Sequence, residues 1–219
     1  MSNAEYLVFV NLKNQFTRHN LQTTGQILSA GYTSVLQDTS LLEKYLKGEI
    51  NYLPFVINEQ RSTVFLSFYS KSTIANYQVE YDAEMRRLCS FPKLPSRLSA
   101  VYAFATEEDC RKAHQLYRWD LDSVRKFKLL QDPLTKVARV NMEIISLMRC
   151  AYPIAMWSGE EIESIWTHYW SGGGNIEIEV PIMQPPPNTH KRVPSGEIWE
   201  YLIEGKLQLQ GDLNTPIQF

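Results

Sequence analysis

Glu200 is the side chain of this sequence that offers the clearest chemistry. It lies between Gly196 and Gly205, in a segment whose aliphatic and aromatic residues predict a β-strand. Because side chains alternate across a strand, Glu200 shares one face with Leu202 and Glu204. The opposite face carries Trp199, Tyr201 and Ile203. We therefore expect Glu200 either at a solvated sheet surface or at the lip of a cleft.

A second polar segment precedes a predicted strand over residues 98–104. Pro92 and Pro95 exclude a continuous helix or a central strand, so the segment that holds Ser96 and Arg97 is an ordered loop. The Arg97 guanidinium offers a fork of donors and the Ser96 hydroxyl both donates and accepts, which suits a ribose or a diphosphate. The alternative is a proline-fixed turn in which Arg97 forms a salt bridge.

Aromatic residues beside glycines form the third segment. A capping-box pattern at Ser158 opens a predicted helix that ends in Tyr169 and Trp170, just before Gly172. Aromatic rings at such a helix end can form a platform on which a flat ring stacks. The same rings also suit core packing, which is the interpretation that we prefer for Trp166.

The elements that must position these residues indicate an α+β chain with a mainly antiparallel sheet. Strands are predicted over residues 5–12 and 124–130. Helices are predicted from an Asn20 cap to Gly31, and from Asp132 to about Cys150. The helices cluster in the middle and the strands occupy both halves, which argues against a regular βαβ series. We expect a single domain over residues 5–219.

Three segments together resemble the ADP-ribosyltransferase-like superfamily, and above all its small bacterial and phage members. They are Pro95-Ser96-Arg97 before a strand, Tyr169-Trp170-x-Gly172 at a helix end, and Glu200-x-Leu202-x-x-Gly205 in a late strand. Each is a weak signal alone, and their order along most of the chain carries the resemblance. It implies an α+β fold with a split, mainly antiparallel sheet and inserted helices, and NAD as the co-substrate.

The resemblance also implies roles for individual residues. Glu200 would be the catalytic residue, which binds the nicotinamide ribose. Ser96 and Arg97 would bind NAD, with Arg97 neutralising its diphosphate. The side chains that would stack on nicotinamide or adenine are Tyr102, Tyr169 and Trp170.

A second likeness is to the DNA-modifying ADP-ribosyltransferase toxins. It is carried by His19-Asn20-Leu21 with Ile27-Leu28 and Gly31, and by Tyr52-Leu53-Pro54-Phe55 with Arg61. It makes Arg61 a rival of Arg97 as the NAD-binding arginine. The chain departs from the superfamily in the first strand, where Val10-Asn11-Leu12 replaces a His or Arg followed by Thr. Either Asn11, Arg18 or His19 takes that place, or the activity is lost.

The implied function is an NAD-dependent ADP-ribosyltransferase that modifies a macromolecule, either a protein or a nucleic acid. A toxin, an effector or a phage protein of this kind works in the cytoplasm of its producer or of a target cell, and an inhibitor or antitoxin is a natural partner. The alternatives are a non-catalytic interaction protein that retains the fold, a nucleic-acid-binding module and a structural domain.

Composition excludes several other classes. The formal net charge of −2 argues against a protein that grips nucleic acid by bulk electrostatics. Three widely spaced cysteines without a CxxC motif indicate reduced thiols, and four histidines without ligand spacing predict no metal site. We find no secretory signal and no apolar run near the roughly 20 residues of a membrane helix, so no membrane partner is expected.

Overall fold

The computed structural model describes residues 4–53, 68–152, 157–181 and 190–219. Their helices and antiparallel sheets confirm the α+β class. The chain forms two compact units: the first takes residues 1–50, 92–139 and 198–219, and the second takes 51–91 and 140–197. No helix among the described residues is both long and apolar enough to cross a membrane. The single domain over residues 5–219 stays a prediction.

The bounds of the regular elements follow the chain order. The strands are β1 Glu5–Phe9, β2 Gln26–Leu28, β3 Val101–Ala103, β4 Val124–Leu130, β5 Lys136–Asn141, β6 Glu177–Pro181, β7 His190–Pro194, β8 Trp199–Glu204 and β9 Lys206–Leu209. The α-helices are α1 Gln15–Thr24, α2 Ala30–Gln37, α3 Leu42–Lys47, α4 Phe68–Ser90, α5 Glu107–Tyr117, α6 Met142–Ala151 and α7 Gly159–Trp170.

The first unit contains two sheets. One has the strand order β1-β4-β9-β2, with antiparallel pairs throughout. The other has the order β3-β8-β5, and its β3–β8 pair is antiparallel. Leu7 and Phe104 exchange two backbone hydrogen bonds of 2.7 Å, which join β1 to the end of β3. The chain leaves the first unit within β5.

Strand β8 has the two faces that its sequence predicts. Ala103 and Val101 lie opposite Tyr201 and Ile203 in the β3–β8 register. These residues face the apolar core of the first unit, which is built mainly from Tyr6, Val8, Leu21, Phe127, Leu129 and Leu207. Tyr102 lies opposite Leu202, and residues directly opposite each other point to the same side of a sheet. Tyr102 therefore shares the other face with Glu200 and Glu204.

The predicted helix from Asn20 to Gly31 is wrong in its bounds. Helix α1 begins earlier because the Asn14 side chain accepts the N–H groups that follow it. It ends at Gly25, whose φ of 63° is the left-handed conformation that stops a helix. Asn20 therefore lies inside α1, and Gly31 lies in the first turn of α2.

The single helix predicted from Asp132 to Cys150 is also wrong. The Asp132 carboxylate accepts hydrogen bonds from the N–H of Leu134 and the hydroxyl of Thr135, which fixes a turn before β5. Helix α6 begins only after Asn141, whose side chain caps it. By contrast, the strand predicted over residues 124–130 is confirmed as β4.

The second unit packs α4 against α6 and α7 and carries the β6–β7 hairpin. The predicted capping box at Ser158 is present, and α7 ends at Trp170 as expected. Trp166 is buried, as preferred from the sequence. Glu84 and Arg87 form a buried pair within α4, with 2.7 Å between Arg87 Nη2 and Glu84 Oε1.

Candidate functional site

A buried ion pair in the first unit joins two of the predicted site residues. Arg97 Nη1 donates to Glu200 Oε1 at 2.8 Å, and the two residues are only 7% and 3% exposed. Glu200 is therefore not at a solvated sheet surface. The salt bridge expected for Arg97 in a proline-fixed turn is present, and its partner is the carboxylate that the sequence singled out.

Tyr102 holds Arg97 from the other side. Its hydroxyl donates to the Arg97 carbonyl oxygen at 2.6 Å, and its ring centroid lies 5.2 Å from the guanidinium carbon. Tyr102 is nevertheless 37% exposed. One part of this side chain therefore touches the buried pair while another part reaches open space.

Glu204 fixes the loop that carries Arg97. Its Oε1 accepts the backbone N–H of Ser96 at 3.1 Å and a short hydrogen bond from the Ser99 hydroxyl. Its Oε2 lies 3.7 Å from Lys136 Nζ. The Ser96 hydroxyl accepts the N–H of Leu98 at 3.1 Å, which closes the turn locally. Glu204 thus positions the loop from the same strand face that carries Glu200.

A cavity of about 670 Å³ opens beside Tyr102. This volume lies within the range of about 300–1,000 Å³ that is typical of small-molecule sites. Four rings line it, those of Phe9, Tyr102, Phe104 and Trp119. The rest of the lining comes from the chain that follows β1, residues 10–13, and from Asp120, Asp122 and Ser123 before β4. We call this space the aromatic cavity.

Helix α5 places Trp119 at the aromatic cavity. It ends at Arg118, whose φ of 59° is the one left-handed value among the described non-glycine residues. His114 Nδ1 lies 2.6 Å from the Trp119 carbonyl oxygen, within hydrogen-bond distance. The Trp119 ring meets Phe9 edge-on at 5.3 Å and Phe104 at 6.2 Å between centroids. These contacts fix one wall of the cavity.

This wall was not predicted from the sequence. The signal was Trp119-Asp120-Leu121-Asp122, a tryptophan with two aspartates directly before a strand. Asn11, one of three candidates for the altered first-strand position, lines the aromatic cavity. The other two, Arg18 and His19, lie exposed on α1. Arg61 lies outside the described residues.

Tyr169 and Trp170 do not form an open platform. They are 0% and 3% exposed in the second unit, and Trp170 Nε1 donates to the Ala83 carbonyl oxygen at 2.7 Å. A ring enclosed in this way offers no face to nicotinamide or adenine. The core-packing alternative describes both residues, and we leave them out of the candidate site.

The described residues contain no group of three or more His, Cys, Asp or Glu side chains that is suited to a metal ion. Residues 2–142 match the model of DUF2441, a family described as proteins of unknown function. The match covers more than half of the chain, so the chain belongs to this family. No curated protein matches the sequence.

Proposed function

We propose that this DUF2441 protein is an NAD-dependent ADP-ribosyltransferase with an ADP-ribosyltransferase-like split sheet. One observation carries the proposal: the Arg97–Glu200 pair lies on the sheet face that also holds Tyr102, and Tyr102 lines the aromatic cavity. The fixed carboxylate and the guanidinium come from β8 and the loop before β3, and Tyr102 of β3 links them to a ligand-sized aromatic space.

The chemistry follows from where charge develops. As the bond between the ribose C1′ and the nicotinamide nitrogen breaks, its electron pair goes to the ring, and nicotinamide leaves neutral without protonation. The ribose becomes an oxocarbenium-like cation, which Glu200 stabilises through a hydrogen bond from the 2′-hydroxyl. A nucleophile of the acceptor bonds to C1′ and loses a proton. With water as the acceptor, the product is free ADP-ribose.

Arg97 and Tyr102 would divide the binding of NAD between them. A nicotinamide ring in the aromatic cavity would stack on Tyr102, whose ring also lies against the Arg97 guanidinium of the ion pair. Arg97 would hold Glu200 in place, and its positive charge would offset the negative charge of the diphosphate. The acceptor is a protein or a nucleic acid, as the superfamily resemblance implies.

A second candidate is a non-catalytic interaction protein with the same fold. It is favoured by the burial of Glu200 against Arg97, because a carboxylate engaged in an ion pair also serves a purely structural role. The replacement of the first-strand His or Arg by the Val10-Asn11-Leu12 sequence favours it as well.

Nicotinamide release from NAD tests the proposal. We expect release by the wild type and by Glu49→Gln, an exposed control carboxylate of the first unit. Glu200→Gln, assayed at a temperature where circular dichroism shows it folded, should lower the rate by about 10²- to 10³-fold, the usual effect of removing one transition-state contact. Mass spectrometry of a treated lysate would identify the acceptor. Absence of both release and a thermal shift with millimolar NAD would reject the enzyme and favour the interaction protein.

A further inference from the structure

We propose that the aromatic cavity selects a flat organic cation, with Asp120 and Asp122 supplying the charge preference. Trp119 and Tyr102 are each 37% exposed, so their rings are accessible to a ligand. The faces of aromatic rings attract cations through the ring quadrupole, and they stack on flat apolar surfaces as well. The rings alone favour a planar ligand, and the carboxylates add the preference for positive charge.

The Asp120 carboxylate is fixed by the backbone that follows it, and Asp122 lies in the same short turn. Asp120 Oδ1 accepts the N–H of Asp122 at 3.1 Å, which caps the short helical turn Leu121–Ser123. The Ser123 hydroxyl donates to the Asp120 carbonyl oxygen at 2.6 Å. Among the described residues, neither carboxylate forms an ion pair within 4 Å. Among these residues, both charges therefore lie on the cavity lining without a direct counter-ion.

Two cations, Lys13 and Arg125, lie near this wall and reduce its negative charge. Lys13 lines the cavity. Arg125 is buried behind it and donates to backbone carbonyl oxygens of Asp122 and Leu213, at 2.6 and 2.5 Å. Burial lowers the pKa of Arg125, while the charges of Asp122, Asp212 and Asp120 oppose that shift. On the lining itself, Asp120 and Asp122 outnumber Lys13, which leaves one net negative formal charge at the cavity wall.

The oxidised nicotinamide ring is a ligand of this class, because its pyridinium is flat and carries one positive charge. The reduced dihydropyridine is neutral and should bind less tightly. Naming nicotinamide as the ring rests on the proposed function, whereas the preference for a flat cation rests on the cavity alone. Lys13, on the same lining, is suited to an anionic portion of a longer ligand.

Two small probes isolate the charge. The 1-methylnicotinamide cation and neutral nicotinamide have the same ring and differ by one methyl group and one charge. We expect calorimetric titration of the full chain to show about tenfold tighter binding of the cation, which corresponds to one cation–π or charge contact. Trp119→Leu should weaken both probes, since it removes a ring of the wall.

Asp122→Asn is the decisive variant. It should abolish most of the preference for the 1-methylnicotinamide cation over nicotinamide while leaving nicotinamide binding unchanged. Glu49→Gln should behave as wild type. Equal affinities for the two probes, or no binding of either, would overturn the inference. The outcome is separate from that of the enzyme assay: selective binding without nicotinamide release rejects only the proposed function, and release without selectivity rejects only the cation preference.

Discussion

Separating Arg97 from Glu200 should cost more than breaking any exposed ion pair of the first unit. At 2.8 Å and an effective dielectric constant of about 20, Coulomb attraction between two unit charges is about 6 kcal/mol before desolvation is subtracted. Removing one partner leaves the other charge buried. Each of Arg97→Met and Glu200→Gln should therefore lower the free energy of unfolding by about 3–5 kcal/mol.

The double variant distinguishes an ion pair from two unrelated buried groups. With both charges of the pair gone, neither is left buried without its partner, so Arg97→Met/Glu200→Gln should lose much less than the sum of the single variants. We expect a coupling energy of about 2–3 kcal/mol. Urea unfolding followed by tryptophan fluorescence and circular dichroism gives the four free energies that are needed.

The exposed pair between Lys47 and Glu43 is the matched control. It has an N–O distance of 2.6 Å, comparable with the buried pair, but its side chains are 55% and 78% exposed. Solvent should reduce its coupling energy to about 0.5 kcal/mol or less. A coupling energy for Arg97 and Glu200 no larger than that of the control would refute the argument that Arg97 holds the carboxylate.

Two further predictions concern stability and thiol reactivity. Gly48→Ala should lower the free energy of unfolding in urea by about 3 kcal/mol or more, because φ at Gly48 is 75° and a Cβ would overlap the carbonyl oxygen of Pro92. Gly159→Ala is the control and should be nearly neutral, since the space around Gly159 is open. Burial raises the pKa of the Cys110 thiol to about 12. A thiol reagent near neutral pH should therefore label the exposed Cys89 and Cys150 but not Cys110 in the native protein. Labelling of Cys110 as fast as the other two cysteines would contradict this prediction.

Local sequence signals predicted the strands that carry the site. The two-residue alternation of the Trp199–Glu204 segment fixed which side chains share a face, and the β3–β8 register agrees with it. The capping box at Ser158 was equally local and is confirmed. Such patterns are readable because they depend on contacts between residues only a few positions apart.

Non-local contacts could not be predicted in the same way. Arg97 and Glu200 lie 103 positions apart, and no periodicity indicates that one loop meets one strand. The burial of Tyr169 and Trp170 could not be predicted either, since aromatic rings beside glycines suit a stacking platform and a core equally well. The turn at Asp132 interrupted the predicted helix because its side chain satisfies backbone groups locally, and apolar spacing does not report such bonds.

The proposed function gives the acidic face of β8 a role that stability alone does not demand. Replacing a buried ion pair by packed apolar residues is often neutral or stabilising, so stability alone does not account for burying Glu200 and Arg97 as a pair. Glu204 is also buried, and it fixes the loop that carries Arg97 through Ser96 and Ser99. Strand β8 thus buries Glu204, and Glu204 positions Arg97, which is the partner of Glu200. This arrangement supports assigning the chemistry to Glu200 and the positioning to Glu204.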